Sequence, residues 1–280
     1  MSLKNILVHV DGSERCEEHV SVACDFALRS DAHVSGLFVI PEPFYPLYTD
    51  GAYIPEDLIL SQEAETKARG EASEKKFREA TAKAGAHAEW RTEQGPLSSV
   101  VTRHARYADL SVVGAGDLGD PVTYPNPFLA ADVAMSSGRP VLVVPNKGHF
   151  EGIGRHILVC WNTSREAVRA VNDALPLLEA AEKVTVLVVN PDKMASGDHG
   201  AIPSADIALH LARHGIKVEA ASTTSNGDDV GSIILSRAAD LGADMIVCGA
   251  YGHSRTREWI LGGVTRTLIE TSPVPVFMSH

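Results

Sequence analysis

Residues 243–249, ADMIVCG, repeat at a distance of 135 positions the pattern of residues 108–114, ADLSVVG. In each stretch an Ala-Asp pair precedes a short run that is rich in apolar and β-branched residues and ends at a glycine. Such a run is typical of a strand that is buried on both faces of a parallel sheet. A match of this kind at a fixed distance indicates an internal repeat.

Two further pairs of segments support the repeat. Residues 137–144, SGRPVLVV, and residues 272–278, SPVPVFM, lie at the same distance of 135 positions. Residues 6–13, ILVHVDGS, and residues 157–164, ILVCWNTS, lie 151 positions apart. The chain is therefore interpreted as a tandem duplication whose second copy is shorter in its middle.

The junction of the two copies is predicted near residue 150. Residues 145–154, PNKGHFEGIG, are rich in glycine and charged residues and contain no strand or helix pattern. We therefore predict two domains, residues 1–148 and residues 153–280. The total of 280 residues fits this division, because a common domain has about 100–200 residues.

Within the second copy, short apolar runs alternate with helical patterns. Ser164 precedes apolar residues at helical spacing and is a favourable N-cap. This alternation predicts an α/β fold with an open, mostly parallel sheet, helices on both faces and ligand sites at the carboxyl ends of strands. The predicted strands are 157–160, 183–189, 217–221, 244–248 and 274–278, and the predicted helices are 165–175, 202–214 and 230–241.

Composition and charge exclude several classes of protein. Hydrophobic residues make up 44% and charged residues 22%, which is ordinary for a globular chain. The net charge of −11 disfavours binding to nucleic acid and to anionic membrane surfaces. No apolar stretch approaches the roughly 18–20 residues of a membrane span. Four scattered cysteines without a C-x-x-C pair predict reduced thiols and a cytoplasmic protein.

A proline- and aromatic-rich loop, residues 41–55, interrupts the first copy and leads into a charged helix predicted over 56–84. The loop is long enough to be functional, as a lid or a partner surface, and can equally pack over its own sheet. The sequence leaves these two interpretations open.

Glycines after the fourth strand of the second copy suggest an anion site. Gly249 and Gly252 allow the backbone to leave the strand, and Gly262 and Gly263 open a helix whose first N–H groups are free to bind an anion, with Thr265 as a hydroxyl donor. The spacing G-x2-G-x9-G matches neither the dinucleotide fingerprint nor a P-loop. The glycine spacing therefore gives no support to a dehydrogenase or a P-loop NTPase function.

With these residues the chain resembles the universal stress protein family, whose nucleotide-binding members carry G-x2-G-x9-G-(S/T) before a last strand of the Pro-Val-Pro-Val type. The matching positions are Gly249, Gly252, Gly262 and residues 273–276, and residues 6–14 are similar to the family's first strand and turn. The resemblance covers essentially the whole chain. It implies two Rossmann-like domains of the adenine nucleotide alpha hydrolase type, each with a mostly five-stranded parallel sheet.

The resemblance also implies a ligand. ATP, or ADP or AMP, with or without Mg2+, is expected to place its phosphates on the glycine loop and its adenosine between the first and second strands of the second domain. The predicted nucleotide-binding residues are Asn162, Val189, Gly249, Gly252, His253, Gly262, Gly263, Val264 and Thr265.

Two of these positions depart from the family pattern. Gly263 stands where the motif has Ser or Thr, so that one hydroxyl is missing and Thr265 is the nearest replacement. Asn162 stands where nucleotide binders usually have Asp, the residue that the first copy keeps as Asp11; an amide still hydrogen-bonds but carries no charge.

Other polar and aromatic residues near the loop leave alternatives open. Arg255 and Arg257, like His253, lie between the motif glycines and are either phosphate contacts or solvated residues. Trp161 either stacks on an adenine or packs locally. His210 and His214 have a metal-ligand spacing on one helix but no third partner, so no metal site is predicted.

The first copy departs much further from the motif. At the distance of 135 positions, the first copy has Asp117 in place of Gly252, Pro127 in place of Gly262, Phe128 in place of Gly263 and Ala130 in place of Thr265. A carboxylate at the phosphate position and a proline that lacks an N–H predict that this copy does not bind ATP by the same route.

The resulting functional prediction is a stress-response sensor or scaffold that binds an adenine nucleotide in its C-terminal domain, with at most slow hydrolysis and no catalytic residues. The alternative is a non-nucleotide or apolar-ligand-binding stress protein that uses the 41–55 loop. An adenylating enzyme lacks a visible acceptor site. The resemblance further implies that the last strands, within 141–144 and 274–278, pair to form an internal pseudo-dimer, with further homo-oligomers left open.

Overall fold

The computed structural model describes residues 3–41, 56–116, 119, 126–193, 203–251 and 262–280. The 41–55 loop beyond residue 41, most of the first-copy loop after residue 116, and residues 252–261 of the glycine loop lie outside this range.

The described chain alternates strands and helices as the sequence predicts. The strands are β1 (Asn5–His9), β2 (His33–Ile40), β3 (Ala88–Gln94), β4 (Leu110–Gly114), β5 (Val141–Val144), β6 (His156–Cys160), β7 (Lys183–Val189), β8 (Val218–Thr223), β9 (Met245–Gly249) and β10 (Val276–Ser279). The helices are α1 (Cys16–Ser30), α2 (Glu56–Ala84), α3 (Leu97–Ala105), α4 (Leu129–Ser137), α5 (Arg165–Ala180), α6 (Pro203–Arg213), α7 (Val230–Leu241) and α8 (Gly263–Thr271), and a 3-10 turn covers Pro191–Lys193.

All ten strands form one sheet in the order β3-β2-β1-β4-β5-β10-β9-β6-β7-β8. Each half of this order is a parallel five-stranded sheet, and the two halves meet where β5 and β10 pair antiparallel, with Leu142 opposite Phe277. We call β1–β5 with α1–α4 the first repeat, and β6–β10 with α5–α8 the second repeat. The predicted α/β class with two parallel five-stranded sheets is confirmed, and the predicted contact of the last strands is present within the chain.

Helices cover both faces of the sheet, and each face has its own apolar core. Alternate residues of the strands point to opposite faces, because the side-chain period of a strand is two. One core contains Ile157 and Val159 of β6 and packs under α1, α2, α5 and α6. The other core contains Leu158 and packs under α3, α4, α7 and α8. Both cores run through both repeats.

The repeated Ala-Asp pair has a structural role at the start of each repeat. Asp109 accepts hydrogen bonds from the backbone N–H groups of Lys4 and Asn5, at 2.8 and 3.0 Å. Asp244 accepts them from Gly154 and Arg155, at 2.9 and 3.0 Å. Each carboxylate therefore fixes the entry of the chain into the first strand of its own repeat.

The predicted elements of the second repeat differ from the observed ones by a few residues at their ends. The helix predicted over 165–175 continues to Ala180 through Pro176, and its predicted cap is present, since the Ser164 hydroxyl accepts the Ala167 N–H at 3.1 Å. The helix predicted over 56–84 is α2. The domain limits at residues 148 and 153 stay a prediction.

Candidate functional site

A cavity of about 250 Å³ opens at the carboxyl ends of β6, β7 and β9 in the second repeat. This is the edge of the sheet where parallel α/β folds bind ligands. Seven of the nine predicted nucleotide-binding residues line it: Asn162, Val189, Gly249, Gly262, Gly263, Val264 and Thr265. The other two, Gly252 and His253, lie outside the described residues, as do Arg255 and Arg257.

The turn after β6 presents Asn162 at one wall of the cavity. The Asn162 side-chain oxygen accepts the Ser164 N–H at 3.1 Å, and Thr163 between them has a φ of +60°. The amide oxygen is thus used by the turn, and the amide nitrogen is the part of the side chain that is left for a ligand. Trp161, beside it, lines the same cavity and also packs against the core under α5.

The end of β7 supplies main-chain groups to the opposite wall. The last aligned pair of β6 and β7 is Cys160 with Leu187, and the Trp161 N–H still bonds to the Leu187 carbonyl at 2.9 Å. Val189 lies beyond this pair and lines the cavity. The backbone hydrogen-bonding groups of Val189 on the side of β6 therefore lie past the paired part of the two strands.

The start of α8 forms the third wall. Gly262 is the N-cap, and no described side chain caps the helix. A Cβ added at Gly262 or Gly263 would meet no described atom within 4 Å. The helix macrodipole places partial positive charge at this end. Thr265, 5% exposed, lies one turn inside α8 and lines the cavity.

Sequence reasoning missed several residues of the cavity wall. The described lining also includes the apolar side chains of Leu187, Val230 and Ile234, together with Cys160, Cys248 and Tyr251. Cys160 and Cys248 directly precede Trp161 and Gly249, which the sequence analysis had selected, and this position at the strand ends is the signal that could have indicated each of them singly. None of the described lining residues carries a formal charge at neutral pH.

Tyr251 connects this cavity with the first repeat. It follows β9 with a φ of +65°, and its N–H lies 3.5 Å from the Thr265 hydroxyl. Burial and the nearby Asp132 carboxylate raise the pKa of the Tyr251 hydroxyl. Asp132 belongs to α4, so the edge of the cavity lies beside the first repeat. The Arg266 guanidinium over the Phe128 ring, at 5.9 Å, is a second contact between the repeats.

The equivalent position of the first repeat is filled by protein. A Cβ added at Gly116 would overlap the backbone of Pro127. The strand-end glycines do not differ in this way, because an added Cβ would overlap the His19 ring at Gly114 and the α5 backbone at Gly249. Gly114 corresponds to Gly249, and Gly116 and Pro127 correspond to the two cavity residues Tyr251 and Gly262. In the first repeat, the segment before α4 that contains Pro127 therefore lies against the backbone that follows β4.

Two buried histidines and the partly buried carboxylate of Asp11 lie together in this filled position. His9 and His19 are 5% and 1% exposed, and burial lowers the pKa of both. Burial raises the pKa of Asp11, but His19, His9 and the Ser13 N–H, which donates to its carboxylate at 2.9 Å, hold it below its usual value. Neither ring nitrogen of His19 has a partner among the described residues. The sequence analysis did not identify this cluster.

A larger groove, of about 730 Å³, lies between α1 and α2 and reaches residues 149–152. Its polar side chains are largely paired with each other: His149 contacts Glu18 at 2.8 Å and Glu151 at 2.9 Å, and these carboxylates raise the pKa of His149. This groove contains none of the predicted site residues.

Two further expectations concern metals and membranes. Among the described residues, no group of three or more His, Cys, Asp and Glu side chains could hold a metal ion; the rings of His210 and His214 instead contact each other at 4.9 Å. Within the described ranges, no helix combines the length and the apolar character needed to cross a membrane.

Comparisons with known proteins are consistent with this architecture. The model of the universal stress protein family matches residues 2–145 and again residues 154–280. A search of curated proteins found no match.

Among solved structures, the chain is similar to a universal stress protein from Archaeoglobus fulgidus DSM 4304, with a TM-score of 0.75, 20% identity and coverage of 98% of this chain and 95% of that chain. It is also similar to a functionally unknown protein from Pseudomonas aeruginosa PAO1, with a TM-score of 0.60, 13% identity and coverage of 99% and 92%. A universal stress protein in complex with cAMP matches 51% of this chain and 98% of its own, with a TM-score of 0.40 and 22% identity.

Proposed function

The chain belongs to the universal stress protein family, and on this premise we propose that it binds an adenine nucleotide, foremost ATP, in the cavity of its second repeat. We further propose that it acts as a sensor or scaffold and not as a fast enzyme. A cytoplasmic location, expected from the scattered cysteines, is part of the same proposal.

One observation carries this proposal. Seven of the nine residues that the family resemblance implies come from four separate parts of the chain, and these seven line one cavity at the carboxyl edge of the sheet. Such an edge, with a helix N-terminus beside it, suits a ligand that has an anionic end and a planar end.

The chemistry of the walls suggests how the ligand lies. The base would take hydrogen bonds from the free backbone edge of Val189 and pack on the apolar side chains of Leu187 and Ile234. The Asn162 amide nitrogen would donate to the sugar or base. The phosphates would approach the open glycines at the start of α8, where N–H groups and the helix dipole favour an anion.

The described lining supplies little for hydrolysis. It contains no carboxylate and no histidine, so that no general base and no carboxylate ligand for Mg2+ comes from these residues. A Mg2+ ion that accompanies ATP would then be bound by the phosphates. We therefore propose that turnover of a bound nucleotide is slow.

A second candidate is a neutral, apolar ligand in the same cavity. It is favoured by the uncharged lining and by the apolar side chains of Leu187, Val230 and Ile234. Native mass spectrometry of freshly purified protein separates the candidates, since an adduct of nucleotide mass supports the first and a lipid-like mass supports the second.

Titration with a fluorescent ATP analogue tests the proposal directly. In the variant Gly262→Asp a carboxylate replaces the open approach to α8, and like charges that meet cost several kcal/mol. We expect at least a roughly hundredfold loss of affinity, which corresponds to about 2.7 kcal/mol.

The matched control is Pro127→Asp, because residue 127 occupies the same place in the first repeat. This variant should bind like the parent, with one analogue per chain. Equal binding by Gly262→Asp and the parent would overturn the proposed site.

A further inference from the structure

Two cysteines lie side by side at the floor of the second-repeat cavity. β6 and β9 are adjacent parallel strands, and Val159 is aligned with Val247. The next residues along the two strands are Cys160 and Cys248. Both belong to the face that is covered by α7 and α8, Cys248 within that core and Cys160 packed against it, and both line the cavity.

This placement brings the two thiols within reach of one ligand. Neighbouring strands are about 4.8 Å apart, and cysteines whose Cα atoms are about 4.4–6.8 Å apart can be bridged. Both cysteines are free, Cys248 is 5% exposed and Cys160 is partly exposed. The cavity is therefore a route by which a small reagent can reach the pair.

The surroundings favour one kind of thiol chemistry over another. Burial raises the pKa of Cys160 well above its usual value and the pKa of Cys248 to about 12. Reagents that depend on a single thiolate should therefore react slowly. A reagent that binds both sulfurs gains from the placement, since its second bond forms within the protein.

We propose that Cys160 and Cys248 form a dithiol site for trivalent arsenic compounds, and that an occupied site excludes a nucleotide from the cavity. Two S–H bonds break and two As–S bonds form; the oxide oxygen of the arsenical leaves with both protons as one water, and arsenic stays trivalent. The exclusion of nucleotide rests on the proposed function, whereas the dithiol site does not.

Phenylarsine oxide on the reduced full-length chain tests the site. Intact mass should show one phenylarsenic unit per chain, with the loss of one water, and the free thiols of the chain should fall from four to two. A tryptic map should place the bridge between the peptides that carry Cys160 and Cys248. A folded chain that keeps four free thiols would overturn the proposal.

Variants of each cysteine pair sharpen this test. Cys160→Ser and Cys248→Ser should each remove the bridged adduct. The matched control is the double variant Cys16→Ser with Cys24→Ser, because these buried residues lie eight positions apart on α1, about 12 Å along the helix, and cannot share one arsenic. A bridge that persists without Cys160, or that is lost in the control, contradicts the assignment. The peptide map of the unsubstituted chain decides the question if a variant does not fold.

A competition experiment separates this proposal from the proposed function. Saturating ATP analogue should slow the reaction with phenylarsine oxide, and the arsenical should prevent binding of the analogue. A specific bridge that ATP does not slow would leave the dithiol site standing and would remove the claim that it shares its cavity with the nucleotide.

Discussion

The carboxyl ends of β4 and β9 occupy equivalent places in the two repeats, but one is filled and the other is open. The last glycine of the strand is tightly packed in both repeats, Gly114 by the His19 ring and Gly249 by the α5 backbone at Ala167. In the first repeat, the Pro127 backbone also packs on Gly116. In the second repeat, the position equivalent to Pro127 is Gly262, with no described atom near its missing Cβ, and a cavity of about 250 Å³ lies beside it. The same framework thus supports two different strand ends, and the difference depends on a few residues that follow the strands.

The largest expected effect concerns the two strand-end glycines. In Gly249→Ala the new Cβ meets the backbone N of Ala167 at 2.6 Å, and in Gly114→Ala it meets the His19 ring. Overpacking of this kind costs about 1–3 kcal/mol, and we expect about 2–3 kcal/mol for each variant in urea denaturation.

A second substitution should restore stability to one of these variants and not to the other. His19→Ala should relieve Gly114→Ala, with a favourable coupling of about 1 kcal/mol or more in a double-mutant cycle. Glu166→Ala should not relieve Gly249→Ala, because the obstructing Ala167 atom belongs to the backbone of α5. Equal coupling in both pairs would show that the repeats do not differ in this way.

The pH dependence of stability is a second difference between the repeats. The pKa of His9 and of His19 is lowered in the folded protein, so the unfolded chain binds their protons more readily. Stability should therefore fall as the pH falls below about 6.5, by as much as about 1.4 kcal/mol per pH unit for each histidine.

Urea denaturation at pH 7 and pH 5.5 checks this prediction in the parent and in His19→Leu. The variant removes two ring nitrogens that lack partners among the described residues, and it should lose less stability on acidification. The exposed His149 has a raised pKa and so contributes in the opposite direction, and its variant His149→Gln should lose at least as much stability on acidification as the parent. An unchanged pH profile in His19→Leu would contradict the assignment.

The smallest expected effect concerns the turn after the first strand of each repeat. Asp11 accepts the Ser13 N–H at 2.9 Å, and Asn162 accepts the Ser164 N–H at 3.1 Å. Because both residue types form the same turn, Asn162→Asp should change stability by less than about 0.5 kcal/mol. Asn162→Ala loses the bond and should cost about 1 kcal/mol. A larger loss in the aspartate variant would show that the amide itself is needed for the turn.

The fold could be predicted because its determinants are local. Apolar runs of strand length and the Ser164 cap each specify a structure that depends on nearby residues. The wall of the second-repeat cavity could be predicted in part for a related reason. Glycines and helix starts act through the backbone, and their spacing can be read directly from the chain.

The residues that the sequence analysis missed depend on contacts between distant segments. The His19 ring meets Gly114 across 95 positions, since α1 packs on the end of β4. Cys160 and Cys248 become neighbours only through the order and register of the strands. Neither pairing has a local pattern, so a single sequence does not indicate it.

The antiparallel pairing of β5 with β10 has a consequence for how the two repeats can change. In a symmetric homodimer one gene encodes both halves, and every substitution appears on both sides of the axis. Here the equivalent halves are joined covalently and share one sheet. A substitution at Pro127 in the first repeat therefore leaves the equivalent Gly262 of the second repeat unchanged. Fusion therefore frees each copy from serving two positions at once, so that the strand ends of the two repeats can differ in residue and in shape.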